Sequence, residues 1–221
     1  MNQSKALATP AERQAHLLAP QLDYILLDGS GSMGDKWPET IGGLRAFLRV
    51  LAASNIHSHG ILHIFDSNNL EYIQRDNTLR EWENLSSIDR HGGGTPLYDA
   101  INIMVRRLAE LDPPRASVVI VTDGMDTGDK FTTLDQARNL LEWCRAKGWQ
   151  VTFLGADFNN SNQARLLGAT ERNSIGVQKA RLIEAGALLG KKRVENAQSG
   201  KDIDFTGEEK STFGGYLTQR H

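Results

Sequence analysis

The chain has 221 residues, 39% of them hydrophobic and 24% charged, with a formal net charge of −2. That length supports one sizeable core, and the near-neutral balance argues against nucleic acid or an anionic membrane as the main partner. The single Cys144 excludes an internal disulfide and a cysteine-based metal cluster, and no apolar run approaches the roughly 18 residues of a membrane span.

Residues 1–20 lack the apolar core and cleavage site of a secretory signal. They read as an N-terminal extension, and the expected location is cytoplasmic. Leu22 to Asp28 then reads as a buried strand, with Gly29 to Gly34 as the loop after it. Pro38 suits the first turn of a helix, and Ile41, Leu44, Phe47, Leu48 and Leu51 follow at helical spacing. Gly60 to Phe65 is a second strand. Leu70 to Gln74 is a short third one, antiparallel across the turn from Asp66 to Asn69.

Pro96 opens a second helix with an apolar face from Leu97 to Leu111, and Pro113 and Pro114 stop it. Ser117 to Thr122 is a β-branched strand. A helix follows near Leu134 to Lys147, then a strand from Gln150 to Leu154 and a short helix near Asn162 to Leu167. A last helix is expected from Gln178 to about Glu195, closing a domain over residues 21–198. Periodicity is lost from Ser199 onward. Residues 199–221 read as a flexible tail, in which Thr206 and Glu209 fit the capping box of one short helix.

Apolar strands alternating with helices predict an α/β fold with a mostly parallel sheet covered on both faces. Ligands of such sheets bind beyond the carboxyl ends of the strands. Asp28 stands at one such end and Asp123 at another. Asp28-Gly29-Ser30-Gly31-Ser32 aims a carboxylate and two hydroxyls at one point, and Gly92-Gly93-Gly94-Thr95 offers a third hydroxyl on a glycine-rich turn. This is an all-oxygen donor set. Hard cations such as Mg²⁺ prefer it, taking about six ligands, whereas no Cys and His cluster at zinc spacing is present.

Asp28, Ser30, Ser32, Thr95 and Asp123, in their strand-end contexts, resemble the metal-ion-dependent adhesion site of von Willebrand factor type A (VWA) domains, in their stand-alone bacterial or phage form. The resemblance spans Leu22 to Glu195. It implies a Rossmann-like, doubly wound sheet with one short antiparallel edge strand and a divalent cation at its top. It also implies that Ser30 and Ser32 bind the metal directly, Thr95 directly or through water, and Asp28 and Asp123 mainly through water. Mg²⁺ is the expected ion, with Ca²⁺ or Mn²⁺ as alternatives, and a protein partner supplies a Glu or Asp as the last ligand. By the same resemblance, the helix from Gln178 would occupy the place of one that shifts in animal relatives. Intracellular stand-alone members of the family act in multi-protein machines, beside AAA+ ATPases or in stress and phage-related settings.

Trp37, just after the Met33-to-Lys36 loop, and His91, four residues before Thr95, are candidate partner contacts, set against packing under the loop for Trp37 and a plain loop residue for His91. His57, His59 and His63 are expected to scatter as surface and core histidines. Asp99 reads as a first-turn surface residue, and Asp126 as a support for the site or its turn. Lys191-Lys192-Arg193 reads as a solvated helix end. Two other functions compete with protein binding. A Mg²⁺-dependent phosphatase or phosphotransferase needs a second carboxylate where Ser30 stands, so the expectation is a non-enzyme. Self-association through Asp202, Asp204, Glu208 and Glu209 of the tail is the other.

Overall fold

The computed structural model describes residues 19–54, 56, 58–82, 85, 88–90, 92–124, 126–156 and 161–214, with Thr9, Ala11, Ala15 and Leu17 before them. His57, His91, most of residues 1–20 and all of residues 215–221 lie outside the described residues.

Among the described residues six strands make one sheet: β1 (Gln21–Asp28), β2 (Ser58–Phe65), β3 (Tyr72–Thr78), β4 (Arg115–Thr122), β5 (Gln150–Gly155) and β6 (Ser174–Gly176). Their order is β3-β2-β1-β4-β5-β6. β1 pairs in parallel with β2 and β4, β5 continues parallel to β4 and β6, and the edge strand β3 runs antiparallel to β2. The chain thus leaves β1 in one direction and returns to build β4 on its other side. That switch opens a crevice at the carboxyl ends of β1 and β4.

The helices given bounds among the described residues are α1 (Trp37–Ala53), α2 (Leu97–Leu111), α3 (Leu134–Ala146), α4 (Ser161–Leu166), α5 (Leu182–Ser199) and α6 (Gly207–Phe213). Ile25, Leu27, Val119 and Val121 face a layer containing Phe47 and Leu51 of α1 and Leu182 and Leu189 of α5. The alternate residues Tyr24, Leu26, Val118 and Ile120 face Ile101 and Leu108 of α2 and Leu141 of α3. Successive strand residues point to opposite faces, and both faces are dry, so β1 and β4 read as unbroken apolar runs. Between α1 and α5 the backbones touch. A Cβ on Gly186 would stand 2.0 Å from the Gly43 carbonyl oxygen, and one on Gly43 would stand 2.6 Å from that of Leu182.

Several boundaries differ from the sequence reading. β3 starts at Tyr72 because Asp66 draws the preceding residues into a turn, its Oδ1 accepting from the Asn68 and Asn69 N–H groups at 2.7 and 3.0 Å. β6 has three residues, too few to leave a pattern. α5 begins at Leu182, after a 3-10 turn at Lys179–Arg181, and ends at Gly200 in the left-handed region with φ 74°.

Residues 201–213 do not hang free. Ile203, Phe205 and Phe213 are buried in the layer of α1 and α5. The Phe205 N–H donates to the Arg172 carbonyl at 2.6 Å, and the Gln178 N–H to that of Phe213 at 3.0 Å. α6 opens with the expected capping box of Thr206 and Glu209. Arg193 is not solvated either. It is 2% exposed, and its Nε and Nη2 donate to the two oxygens of buried Asp23 at 2.6 and 3.0 Å. An amphipathic pattern cannot reveal a buried charge whose partner lies on a distant strand.

Candidate metal centre

β1 and β4 end side by side, with Leu27 opposite Val121. Asp28 is fully buried at that end. Its Oδ2 accepts from Thr122 Oγ1 at 2.6 Å and its Oδ1 from the Ser30 N–H at 2.8 Å. Burial raises its carboxyl to about 6, although the bonds from Thr122 and Ser30 favour the charged form. Beyond it the chain enters a 3-10 turn, Gly31–Lys36. Ser30 Oγ and Ser32 Oγ come within 3.1 Å, and Ser32 Oγ donates to Asp123 Oδ1 at 2.7 Å.

The glycine turn is laid against this loop. The Gly31 N–H donates to the Gly93 carbonyl at 2.9 Å, and the Gly92 N–H to that of Gly29 at 3.1 Å. Gly93 has φ 107°, and a Cβ there would stand 2.5 Å from Ser67 Oγ, so glycine is required. Thr95 follows, clasped by Thr127. The Thr127 N–H donates to the Thr95 carbonyl at 2.7 Å, and the Thr95 N–H to Thr127 Oγ1 at 3.0 Å. A Cβ on Gly124 would lie 3.3 Å from Thr95 Oγ1 and 3.7 Å from Ser32 Oγ. Those hydroxyls therefore border one small space that Gly124 leaves open.

The structure thus gathers Asp28, Ser30, Ser32, Thr95 and Asp123 at one end of the sheet. Among the described residues no group of three or more His, Cys, Asp and Glu side chains could hold a metal. The donor set here is two carboxylates and three hydroxyls, and its hard oxygens fit a cation such as Mg²⁺, Ca²⁺ or Mn²⁺. Trp37 is half-buried. Its indole N–H donates to the Ile88 carbonyl at 3.0 Å and its ring packs on the core, so it anchors a loop of its own chain.

Three residues beside the site carry roles that the sequence reading missed. Lys36 Nζ donates to Asp123 Oδ2 at 2.7 Å and to the Ser32 carbonyl at 3.2 Å. Burial works against its charge, but the bond and field of Asp123, with Asp35 nearby, outweigh it and hold the ammonium above its ordinary value. Its position one turn after Ser32 was the available signal. Arg90 Nη1 donates to the Ser30 carbonyl at 2.9 Å and braces the loop from a distant segment, which no local pattern announces. Thr122 was signalled by standing directly before Asp123 on the strand next to β1.

Asp126 Oδ1 accepts from the Leu97 N–H at 2.8 Å and caps α2, so it supports the helix that follows Thr95. Asp99 departs from its surface expectation. It is fully buried, and its oxygens accept from the N–H groups of Lys130, Phe131 and Thr132 at 2.7, 3.2 and 2.8 Å, fixing the loop after Asp123. His59 is half exposed and bonded to Asp76 at 2.6 Å, whereas His63 is fully buried and bonded to Tyr24 and Leu70. The two histidines scatter as expected.

No protein-family model matches the chain, and no curated protein matches it. Solved structures do. The vWF domain of the type V pili tip protein Mfa5 from Porphyromonas gingivalis has a TM-score of 0.65 at 11% identity, covering 83% of this chain and 98% of that one. The manganese-loaded TRAP protein of Plasmodium vivax gives 0.54 at 16% identity, covering 76% and 72%. A von Willebrand factor type A protein from Catenulispora acidiphila gives 0.54 at 12%, covering 81% and 43%. Identities this low speak to fold alone: the chain has the fold of a von Willebrand factor type A domain.

Proposed function

We propose that the chain is a metal-dependent protein-binding module. Asp28, Ser30, Ser32, Thr95 and Asp123 hold a divalent cation, Mg²⁺ or alternatively Ca²⁺ or Mn²⁺, that accepts a Glu or Asp carboxylate of a protein partner. One observation carries this reading. Oxygen donors from three distant segments meet beyond β1 and β4, with Ser30, Ser32 and Asp123 joined in one hydrogen-bonded chain of 3.1 and 2.7 Å.

When bound, the cation supplies Lewis acidity, and a ligand set rich in neutral hydroxyls preserves its attraction for an incoming carboxylate. The chain's own residues do the positioning. Asp28 holds the Ser30 N–H and Thr122, fixing the loop that carries both serines. Gly93 and Gly94 let the turn that carries Thr95 close on its neighbours, since a Cβ there would stand 2.5 Å from Ser67 Oγ and 3.2 Å from the Thr127 carbonyl oxygen. We place the domain from residue 21 past the expected boundary at 198, because Ile203, Phe205 and Phe213 belong to its core. Among the described residues no helix is long and apolar enough to cross a membrane. The proposed setting is an intracellular multi-protein assembly, of the AAA+, stress or phage-related kind that the resemblance implies.

Phosphotransfer finds less support. Asp28 commits both oxygens to internal donors, which suits positioning better than attack on a phosphate. Three of the tail acids are engaged within the chain: Glu209 pairs with Lys192 at 2.8 Å, Asp204 with Arg172 at 3.7 Å, and Asp202 accepts from Gln150 Nε2 at 3.0 Å.

Calorimetric titration with Mg²⁺ and Mn²⁺, followed by partner capture from the native host in Mg²⁺ or EDTA, tests the reading. Metal binding lost in Ser32→Ala, with EDTA-sensitive capture, is expected. Failure of the intact chain to bind either ion at millimolar concentration overturns it.

A further inference from the structure

Both oxygens of Asp123 are occupied from inside the protein. Oδ1 takes the Ser32 hydroxyl at 2.7 Å, and Oδ2 takes the Lys36 ammonium at 2.7 Å. The ammonium also donates to the Ser32 carbonyl at 3.2 Å, so it sits against the loop that carries the serine donors. This is not a screened surface pair: the side chains of Lys36 and Asp123 are 13% and 2% exposed. Asp28 and Asp123 carry two formal negative charges, and Lys36 removes one of them.

We propose that Lys36 is a tethered counter-cation of the site: its ammonium competes with the divalent cation for Asp123 and sets the metal concentration at which the site fills. This rests on the five donors forming a metal site, and it adds a means of regulation. Two cations sharing one carboxylate repel each other strongly where water is largely excluded. The docked ammonium therefore marks a state of low metal affinity, and the apparent affinity falls by the fraction of molecules with Asp123 free of it.

The exchange requires little rearrangement. The Lys36 carbonyl accepts from Thr40 Oγ1 at 2.9 Å, so the backbone stays fixed while a flexible four-carbon stem swings. A receiving group is already in place. Asp35 Oδ1 lies 3.4 Å from the same ammonium, and its side chain is 68% exposed at the rim. An ammonium that leaves Asp123 remains paired with Asp35.

The test is calorimetric titration of the full chain with Mg²⁺, and with Mn²⁺ followed by its electron paramagnetic resonance, for wild type, Lys36→Met and Lys36→Arg. Lys36→Met should bind either ion about tenfold tighter or more, and Lys36→Arg, which keeps the charge, should stay near wild type. Thermal melting gives a second readout: Lys36→Met should melt below wild type in EDTA, and saturating Mg²⁺ should close the gap. Lys36→Gln replaces the Met variant if that one does not fold. Equal or weaker metal binding by the neutral variants, with wild-type binding intact, overturns the proposal and makes Lys36 a strut for Asp123. No metal binding by any variant, wild type included, sinks the metal-site reading itself and this inference with it.

Discussion

Thr122 Oγ1 donates to Asp28 Oδ2 at 2.6 Å and so ties together the two strand ends that frame the candidate site. Asp28 is fully buried, and its charge rests on this bond and on the Ser30 N–H at 2.8 Å. A buried carboxylate without such donors takes up a proton or moves. The hydroxyl that holds Asp28 is therefore as much part of the site as the donors themselves.

Thr122→Val keeps the side-chain shape and deletes that donor. Stability at neutral pH should fall by about 1.5–3 kcal/mol, the range for a hydrogen bond to a charged group, read by urea denaturation. Mg²⁺ affinity should fall as well, because Asp28 then positions the Ser30 loop less firmly. Unchanged values in both measurements would show that the Ser30 N–H alone suffices.

The contact of α1 with α5 leaves no room for a methyl group. A Cβ on Gly186 would meet the Gly43 carbonyl oxygen at 2.0 Å, so Gly186→Ala forces two backbones apart. The expected loss is at the upper end for overpacking, about 3 kcal/mol. Gly176→Ala is the control, since a Cβ there meets nothing within 4 Å, and it should change stability by less than about 0.5 kcal/mol. Similar urea midpoints for the two variants would contradict the close packing.

Much of this is legible in the chain because some residues carry their geometry with them. Asp28, Ser30 and Ser32 alternate at a strand end, Thr95 follows three glycines, and Asp123 ends the most β-branched strand, so each fixes its own local backbone. The alternation of strands and helices likewise implies the parallel sheet. What stays hidden depends on partners that arrive from far away. Lys36 matters because Asp123 reaches it from 87 residues on, and the buried Arg193 is met by Asp23, 170 residues distant. Ile203 and Phe205 anchor from an irregular segment and Phe213 from the last turn of a seven-residue helix, so no period betrays them.

The pair of Arg193 and Asp23 gives a sharp stability test. Arg193→Met leaves the carboxylate of Asp23, 1% exposed, without its bidentate partner. Breaking a buried pair in this way should cost about 3–5 kcal/mol. Adding Asp23→Leu removes the stranded charge and should recover much of the loss. A double-mutant cycle by urea denaturation measures both steps, and additive losses would argue against the coupling.

His63 makes stability depend on acid in a defined window. Its ring is fully buried, with Nε2 donating to the Leu70 carbonyl at 2.8 Å and Nδ1 accepting from the Tyr24 hydroxyl at 2.9 Å. Burial is the main cause that lowers its pKa from 6.5 to about 4. The unfolded chain thus takes up a proton that the folded one refuses. The stability His63 allows is whole above pH 6.5 and declines as pH falls towards 4, by about 3 kcal/mol in all. Asp28 and Asp129 pull the other way, since burial raises their carboxyls to about 6 and about 8 and favours the folded state as pH drops. The difference between wild type and His63→Gln isolates the histidine, because glutamine can keep both bonds without titrating. Urea midpoints across this range should show wild type losing stability relative to His63→Gln, whereas parallel profiles would mean that the buried ring is protonated without penalty.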